Sequence, residues 1–250
     1  MKERMLALMV ALFVVMGSFG QKMEQSAKLK KTPEIVITHK AYTLSYNIKT
    51  NTPNWVAWEL TADEASATRV RRSKDFFPDP QVPRKNRLEG WAYKGTGYDR
   101  GHMCPAGDNK WDVEAMNECF YMSNMCPQDR TLNGTWWEHL ESACRRWAVK
   151  EGSVYIVCGP VSKNAAPRMV GNGVDVAVPD GFFKVVLSLR KGKEKAIGFY
   201  YSNDGSRQTM SDAACSVDEI EKITGMDFFP MLDDKLERRV ESEYKLSAWQ

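Results

Sequence analysis

The chain predicts an α+β fold in which a central, mostly antiparallel sheet is flanked by helices. Three observations carry this. Strand-like runs rich in β-branched and aromatic residues outnumber helix-period segments and do not alternate regularly with them. No repeat, linker or low-complexity stretch divides the chain, and aromatic residues are spread along all of it, so one domain with a substantial core is expected.

The N-terminus reads differently from the rest. Met1-Lys2-Glu3-Arg4 precedes an apolar run from Leu6 to Met16, then the small residues Gly17 to Gly20, the pattern of an export signal over residues 1–20. The run is well short of the roughly 20 residues that span a bilayer. The expectation is therefore an exported protein, periplasmic or secreted, with no stable membrane insertion after cleavage. Residues 21–33 are Lys-rich and aperiodic and predict a flexible lead-in; residues 34–250 predict the single domain.

Within that domain, Tyr42 to Tyr46 and Trp55 to Leu60 read as strands joined by the turn-forming Thr50-Asn-Thr-Pro-Asn54, a hairpin pattern. Ala62 to Tyr98 is polar and interrupted by prolines and glycines. It predicts a long ordered loop, of the kind that tends to carry function. Asn133 to Lys150 predicts a helix with Trp137, Leu140, Cys144 and Trp147 on one stripe. Strands follow at Ser153 to Cys158, Phe182 to Leu189 and Ala196 to Tyr201. Ser216-Val-Asp-Glu219 has the form of a capping box opening a helix that Gly225 stops, and Lys235 to Tyr244 predicts a last helix.

The formal charge of +3 excludes little. A nucleic-acid partner would meet local clusters such as Arg69, Arg71, Arg72 and Lys74, or Arg84, Lys85 and Arg87. The bland alternative for both is a solvated surface. Six cysteines in a chain expected in an oxidising compartment make one or more disulfides plausible, with fifteen complete pairings open and small buried residues as the plain alternative for some of them. Only His39, His102 and His139 can supply an imidazole, which argues against a zinc site built on several histidines, and no Cys-x-x-Cys pair or His-Glu-x-x-His helix is present.

Asp99-Arg-Gly-His102, Ser123-Asn-Met-Cys-Pro-Gln128 and Leu132-Asn-Gly-Thr-Trp-Trp-Glu-His-Leu-Glu141 together resemble, in order and spacing, the DNA/RNA non-specific endonucleases, which are ββα-metal or His-Me finger nucleases. The similarity runs from about Trp55 to Trp249. It implies a ββα-metal catalytic core, DNA and RNA as substrates, and Mg²⁺ as cofactor, with Mn²⁺ able to substitute. By the same resemblance His102 activates water, Asn133 binds the metal directly, and Glu141 matches the glutamate eight residues on. Asn124 and Gln128 match supporting positions near the metal, with capping and turn formation as their plain alternative. An arginine ahead of an aromatic and an Asp-Pro is matched by Arg72, with Arg71 as the other choice. Arg100 is a candidate for phosphate contact; its plain alternative is an ion pair, for instance with Asp99.

The helix itself bears on the ligand set. Eight residues of regular α-helix rise roughly 12 Å and turn about 80° past two full turns, so Asn133 and Glu141 do not both easily reach one small ion. Helical side chains lean toward the N-terminus, and a water about 2.1 Å from Mg²⁺ plus a hydrogen bond of roughly 2.8 Å bridges the gap. Glu141 is thus expected to act through the ion's water. His139 is expected on another face, Trp137 in the core, and Trp136 on either side. Asp108 and Asp112 could suggest a second metal, which the resemblance does not require. A homodimer stays open, as do two rivals: a secreted nucleic-acid-binding protein without catalysis, and another metal-dependent phosphodiesterase.

Overall fold

The computed structural model describes residues 22–164 and 166–250, so the expected export signal lies outside the described residues. Strands β1 (Ile35–Thr38), β2 (Thr43–Asn47) and β3 (Thr52–Thr61) open the fold. The turn between β2 and β3 places Asn51 at φ 54°, a left-handed conformation that asparagine tolerates, and the expected hairpin forms with Thr43 opposite Ala57. Helix α1 (Ala62–Ser66) starts at a capping box made by Thr61 and Glu64. Turns then dominate to Tyr98, as the proline and glycine content predicts.

A second, two-stranded sheet pairs β4 (Asp99–His102) with β5 (Met125–Gln128), and helix α2 (Val113–Glu118) lies between them in sequence. A π-helical turn over Leu132–Trp137 leads into α3 (Glu138–Glu151). Beyond it come β6 (Ser153–Val161), a small hairpin of β7 (Met169–Val170) and β8 (Val176–Ala177), then β9 (Gly181–Ser188) and β10 (Lys195–Ser202). Helix α4 (Met210–Ala213), strand β11 (Ala214–Cys215), α5 (Val217–Thr224) and α6 (Asp234–Ser242) complete the order. The capping box at Ser216 and the left-handed Gly225 bound α5 as predicted.

The main sheet is antiparallel in the order β1-β2-β3-β6-β9-β10-β11. Alternate side chains along β3 face opposite ways. Val56 and Trp58 enter a core under α3, while Trp55 and Ala57 enter a second core with Ile220, Phe228, Phe229 and Val240 from the C-terminal region. Burying both faces explains why β9 reads as a nearly continuous apolar run. The β4-β5 hairpin and α3 sit on the α3 side, where Met103, Cys104 and Leu132 join the first core.

Three expectations change here. Residues 22–33 carry no helix or strand yet are tied down, since Ala27 N and Ser26 Oγ donate to Asp227 O at 2.9 Å and Met23 and Leu29 pack on the second core. All six cysteines are free thiols, five of them buried, and they serve as small apolar side chains instead of cross-links. The helix predicted over Asn133 to Lys150 does not begin as regular α-helix. Among the described residues no helix is long and apolar enough to cross a membrane.

Candidate active site

The site is a ββα unit: β4, β5 and the π turn that starts the helix. Register places His102 opposite Met125 and Asp99 opposite Gln128, so the two ends of the hairpin carry both sequence motifs. Gly101 is required where it stands. A Cβ there would lie 2.6 Å from Gln128 Cβ and overlap Gln128 Oε1, so the Gln128 side chain occupies the space the glycine leaves. Asn124 Oδ1 accepts from Cys104 N at 2.9 Å, and its Nδ2 donates to Cys104 O and Cys119 O at 2.8 Å. That amide clamps the chain just after His102. Both Nδ2 hydrogens of Asn124 are thus engaged by main-chain carbonyls, and the side chain is fully buried.

His102 is 7% exposed, and its Nε2 has no hydrogen-bond partner. Phe120 meets its ring edge-on at 4.7 Å between centroids, and Phe76 lies at 5.5 Å. The guanidinium of Arg100 sits 4.0 Å over Phe76 and that of Arg72 sits 5.0 Å over Phe120, so two cations flank the aromatic wall. Burial first, then the charges of Arg72 and Arg100, lower the His102 pKa to about 3. The imidazole is neutral across the physiological range, further from protonation than its ordinary value of about 6.5 suggests.

In front of this wall lies a cleft of about 760 Å³ lined by Arg72, Arg100, Asp99, Asn133 and Phe76, with Trp91, Lys94 and Arg130 at its sides. Asn133 Nδ2 donates to Asp99 Oδ2 at 3.2 Å, leaving the amide oxygen as the end not held by Asp99. Asp99 also meets Arg130 Nε at 3.4 Å. The suggested Asp99–Arg100 pair does not form; Arg100 Nη1 donates instead to Gly90 O at 2.6 Å. Between the two arginine choices, it is Arg72 that lines the cleft and acts on His102. Arg87 donates to Val82 O and Pro80 O and so braces its own loop.

Glu141 does not line the cleft. Burial raises its pKa to about 7, against the pull of Lys184 and Arg145. Lys184 is 1% exposed, with its ammonium 4.4 Å from the centroid of Trp137 and 5.4 Å from that of Trp58. Asp108 accepts from Arg145 at 3.0 Å and from Trp58 Nε1 at 3.1 Å, and Asp112 caps α2, so neither is free for a second metal. The π turn alters the phase assumed for the helix. A turn closing five residues back advances less than 100° per residue, which brings Asn133 nearer to the face of Glu141 than a regular α-helix does. His139 is exposed beside Trp136, and Trp137 is fully buried.

Sequence reasoning missed Phe76 and Phe120 as the histidine's wall, Trp91, Lys94 and Arg130 in the cleft, and Lys184 beneath the helix. A lysine inside the apolar run Phe182-Phe183-Lys184-Val185-Val186 was the one local signal among them.

A ββα finger with a buried neutral histidine behind an arginine-lined cleft, and an asparagine amide on that cleft, is the arrangement of a ββα-metal nuclease. The chain belongs to the DNA/RNA non-specific endonuclease family, whose sequence profile matches residues 21–235. It is 34% identical over 206 residues to the mitochondrial nuclease EXOG of Xenopus laevis, covering 77% of this chain and 57% of that protein. It is also 34% identical over 217 residues to the mitochondrial endonuclease G of Caenorhabditis elegans, covering 80% and 70%. A crystal structure of an EndoG/EndoGI complex superposes with a TM-score of 0.75 at 30% identity, covering 82% of this chain and 89% of that one. The chain spans a little over half the length of the EXOG relatives it matches. Members of the family are metal-dependent nucleases. The expectation of an exported protein is corrected here. Relatives from frog, worm and two yeasts are mitochondrial nucleases, so the apolar leader by itself does not assign export.

Proposed function

We propose that this chain is a Mg²⁺-dependent endonuclease that hydrolyses phosphodiester bonds of DNA and RNA with little sequence specificity and leaves 5′-phosphates. The observation that carries the reading is the neutral, unpartnered Nε2 of His102 buried behind an aromatic wall that carries Arg72 and Arg100, with those two arginines and the amide of Asn133 lining one cleft. Phosphodiester cleavage needs an in-line nucleophile, neutralised phosphoryl oxygens and help for the departing 3′ oxygen. His102 takes the proton from the attacking water as general base. Arg72 and Arg100 offer guanidinium forks to phosphate oxygens. A docked phosphate offsets the two charges that depress His102, so the base gains strength when substrate is present.

The donor set fits a hard divalent ion. Asn133 supplies one uncharged oxygen, Gln128, opposite Asp99 in the β4-β5 pairing, has two buried amide atoms without partners, and Glu141 is a carboxyl whose charge, like that of Arg72, is felt at Cys119. Asn133 would hold Mg²⁺ directly, with Glu141 and Gln128 acting through its water shell, an economical set because Mg²⁺ keeps several waters. When bound, the ion polarises the phosphate and stabilises the leaving oxygen. Contacts from Arg72 and Arg100 to phosphate would position a strand without reading it.

The test is incubation of purified protein with plasmid and with RNA in Mg²⁺, then with chelator. Cleavage in Mg²⁺ that chelator abolishes, leaving ends a ligase accepts, is the expected result; no cleavage in Mg²⁺ removes the proposal. His102→Ala should retain folding and lower the rate by about 10²-fold or more. Asn133→Ala should lose metal dependence together with activity.

A further inference from the structure

Away from the cleft, helices α5 and α6 bring like charges together. Asp218 and Glu221 stand three residues apart on one face of α5, and Glu237 and Glu241 stand four apart on α6. One carboxylate oxygen from each of Asp218, Glu221 and Glu241 lies within 4.8 Å of the other two. Glu221 Oε1 accepts from Phe228 N at 2.8 Å. Glu241 is 5% exposed, and its Oε1 is buried without any hydrogen-bond partner. A buried carboxylate with an unpartnered oxygen, grouped with two other carboxylates, is costly unless something positive joins them. Neighbouring Asp227 and Glu237 add further negative charge, and the charges acting most strongly on Glu241 are all carboxylates.

We propose that Asp218, Glu221 and Glu241 form a second cation site, favouring Ca²⁺ over Mg²⁺, that ties α5 to α6 independently of the nuclease centre. Three carboxylates select the ion. Atoms no more than 4.8 Å apart share a point no more than about 2.8 Å from each, and Ca²⁺ takes several carboxylates in flexible geometry, whereas Mg²⁺ is usually held by one or two and keeps several waters. Small side-chain shifts suffice for the larger ion, and oxygen-only ligands exclude softer metals. The ion's role is structural, because Val217, Ile220 and Val240 of these two helices cover the second core.

The experiment uses the full chain after chelator treatment and desalting, with calorimetric titration of CaCl₂ and a thermal melt. The Asn133→Ala variant removes the proposed catalytic ligand and so isolates this site. That variant should bind one Ca²⁺, with a melting midpoint roughly 5–10 °C higher at a hundredfold excess over Kd. Glu241→Gln and Asp218→Asn should each weaken that binding at least tenfold while cleaving plasmid in Mg²⁺ as the parent does. Two variants are used so that a folding failure in one leaves the other decisive. Absence of Ca²⁺ binding in Asn133→Ala, or unchanged affinity in both acidic variants, overturns the proposal. So does a midpoint indifferent to Ca²⁺ that falls as pH rises from about 5 toward 9 and levels off there, the signature of a proton holding the cluster.

Discussion

Burial and two arginines hold His102 neutral, and that has a cost in acid which can be measured without substrate. In the unfolded chain a histidine takes up a proton below about 6.5, whereas in the native state this one resists protonation until about pH 3. The unfolded state therefore binds more protons between these values, and stability falls as pH drops through 6.5, levelling off near 3. At pH 5 the shift amounts to about 2 kcal/mol relative to pH 8, and at pH 6 to under about 1 kcal/mol, at 1.36 kcal/mol per unit. The perturbation is His102→Asn, which removes the titrating group. Urea unfolding of parent and variant, followed by tryptophan fluorescence from pH 8 to 5, gives the difference in which all shared groups cancel. The parent should lose about 2 kcal/mol more than the variant across that range, or roughly 4–8 °C in melting midpoint. A difference that is the same at pH 8 and pH 5 refutes the argument that burial and the arginines exclude the proton.

Gly101→Ala should destabilise by about 1–3 kcal/mol, because the methyl meets Gln128 and pushes β4 off β5; calorimetry and plasmid cleavage should decline together. Asp79 accepts from Ser123 Oγ at 2.5 Å and Gln81 N at 2.8 Å and shares a 3.0 Å bond with His39 Nε2, so Asp79→Ala should cost about 3–5 kcal/mol by urea titration. Burial pushes the Asp79 carboxyl up, but its partners prevail and lower its pKa, so its stabilisation is present above the ordinary carboxylate range and lost in acid. Lys184→Met should destabilise by a similar amount, about 3–5 kcal/mol, since Glu141 and Asp108 lose the cation nearest the core. An unchanged urea midpoint would show that Lys184 is not what offsets them.

Much of the fold was legible because it is written in local patterns. β2, β3, β6, β9 and β10 are runs of β-branched and aromatic residues, and α5 carries its own start and stop in Ser216, Glu219 and Gly225. Strand β4 was not legible as a strand. Asp99-Arg-Gly-His102 is polar and reads as turn, and only pairing with β5 makes it extended. The short edge strand β1 was missed for a related reason: only Ile37 of its four residues is buried. The π turn has no signature in Leu132-Asn-Gly-Thr-Trp-Trp137 and arises where the helix must meet the hairpin. Within the site, the motif residues were found by family resemblance, and the structure brings Arg72, Arg100 and Asn133 onto one cleft with His102 behind it. The wall that sets the basicity of His102 was invisible, because Phe76 and Phe120 are far apart in the chain and meet only through the fold. Disulfides were expected from a count of cysteines, and it is the alternative reading, a thiol as a small buried apolar filler, that holds for five of the six.

Those thiols have a practical use. Burial drives Cys144 and Cys158 to about 12 and Cys104 and Cys126 well above their ordinary range, and the half-buried Cys215 also reaches about 12. Alkylating reagents attack the thiolate, so the native protein presents them with almost nothing to react with. Each opening that carries a thiol into water would be recorded as an irreversible mass increment. The protein thus carries its own unfolding recorder at six positions, and a time course of alkylation read by mass spectrometry would report which parts of the core open first.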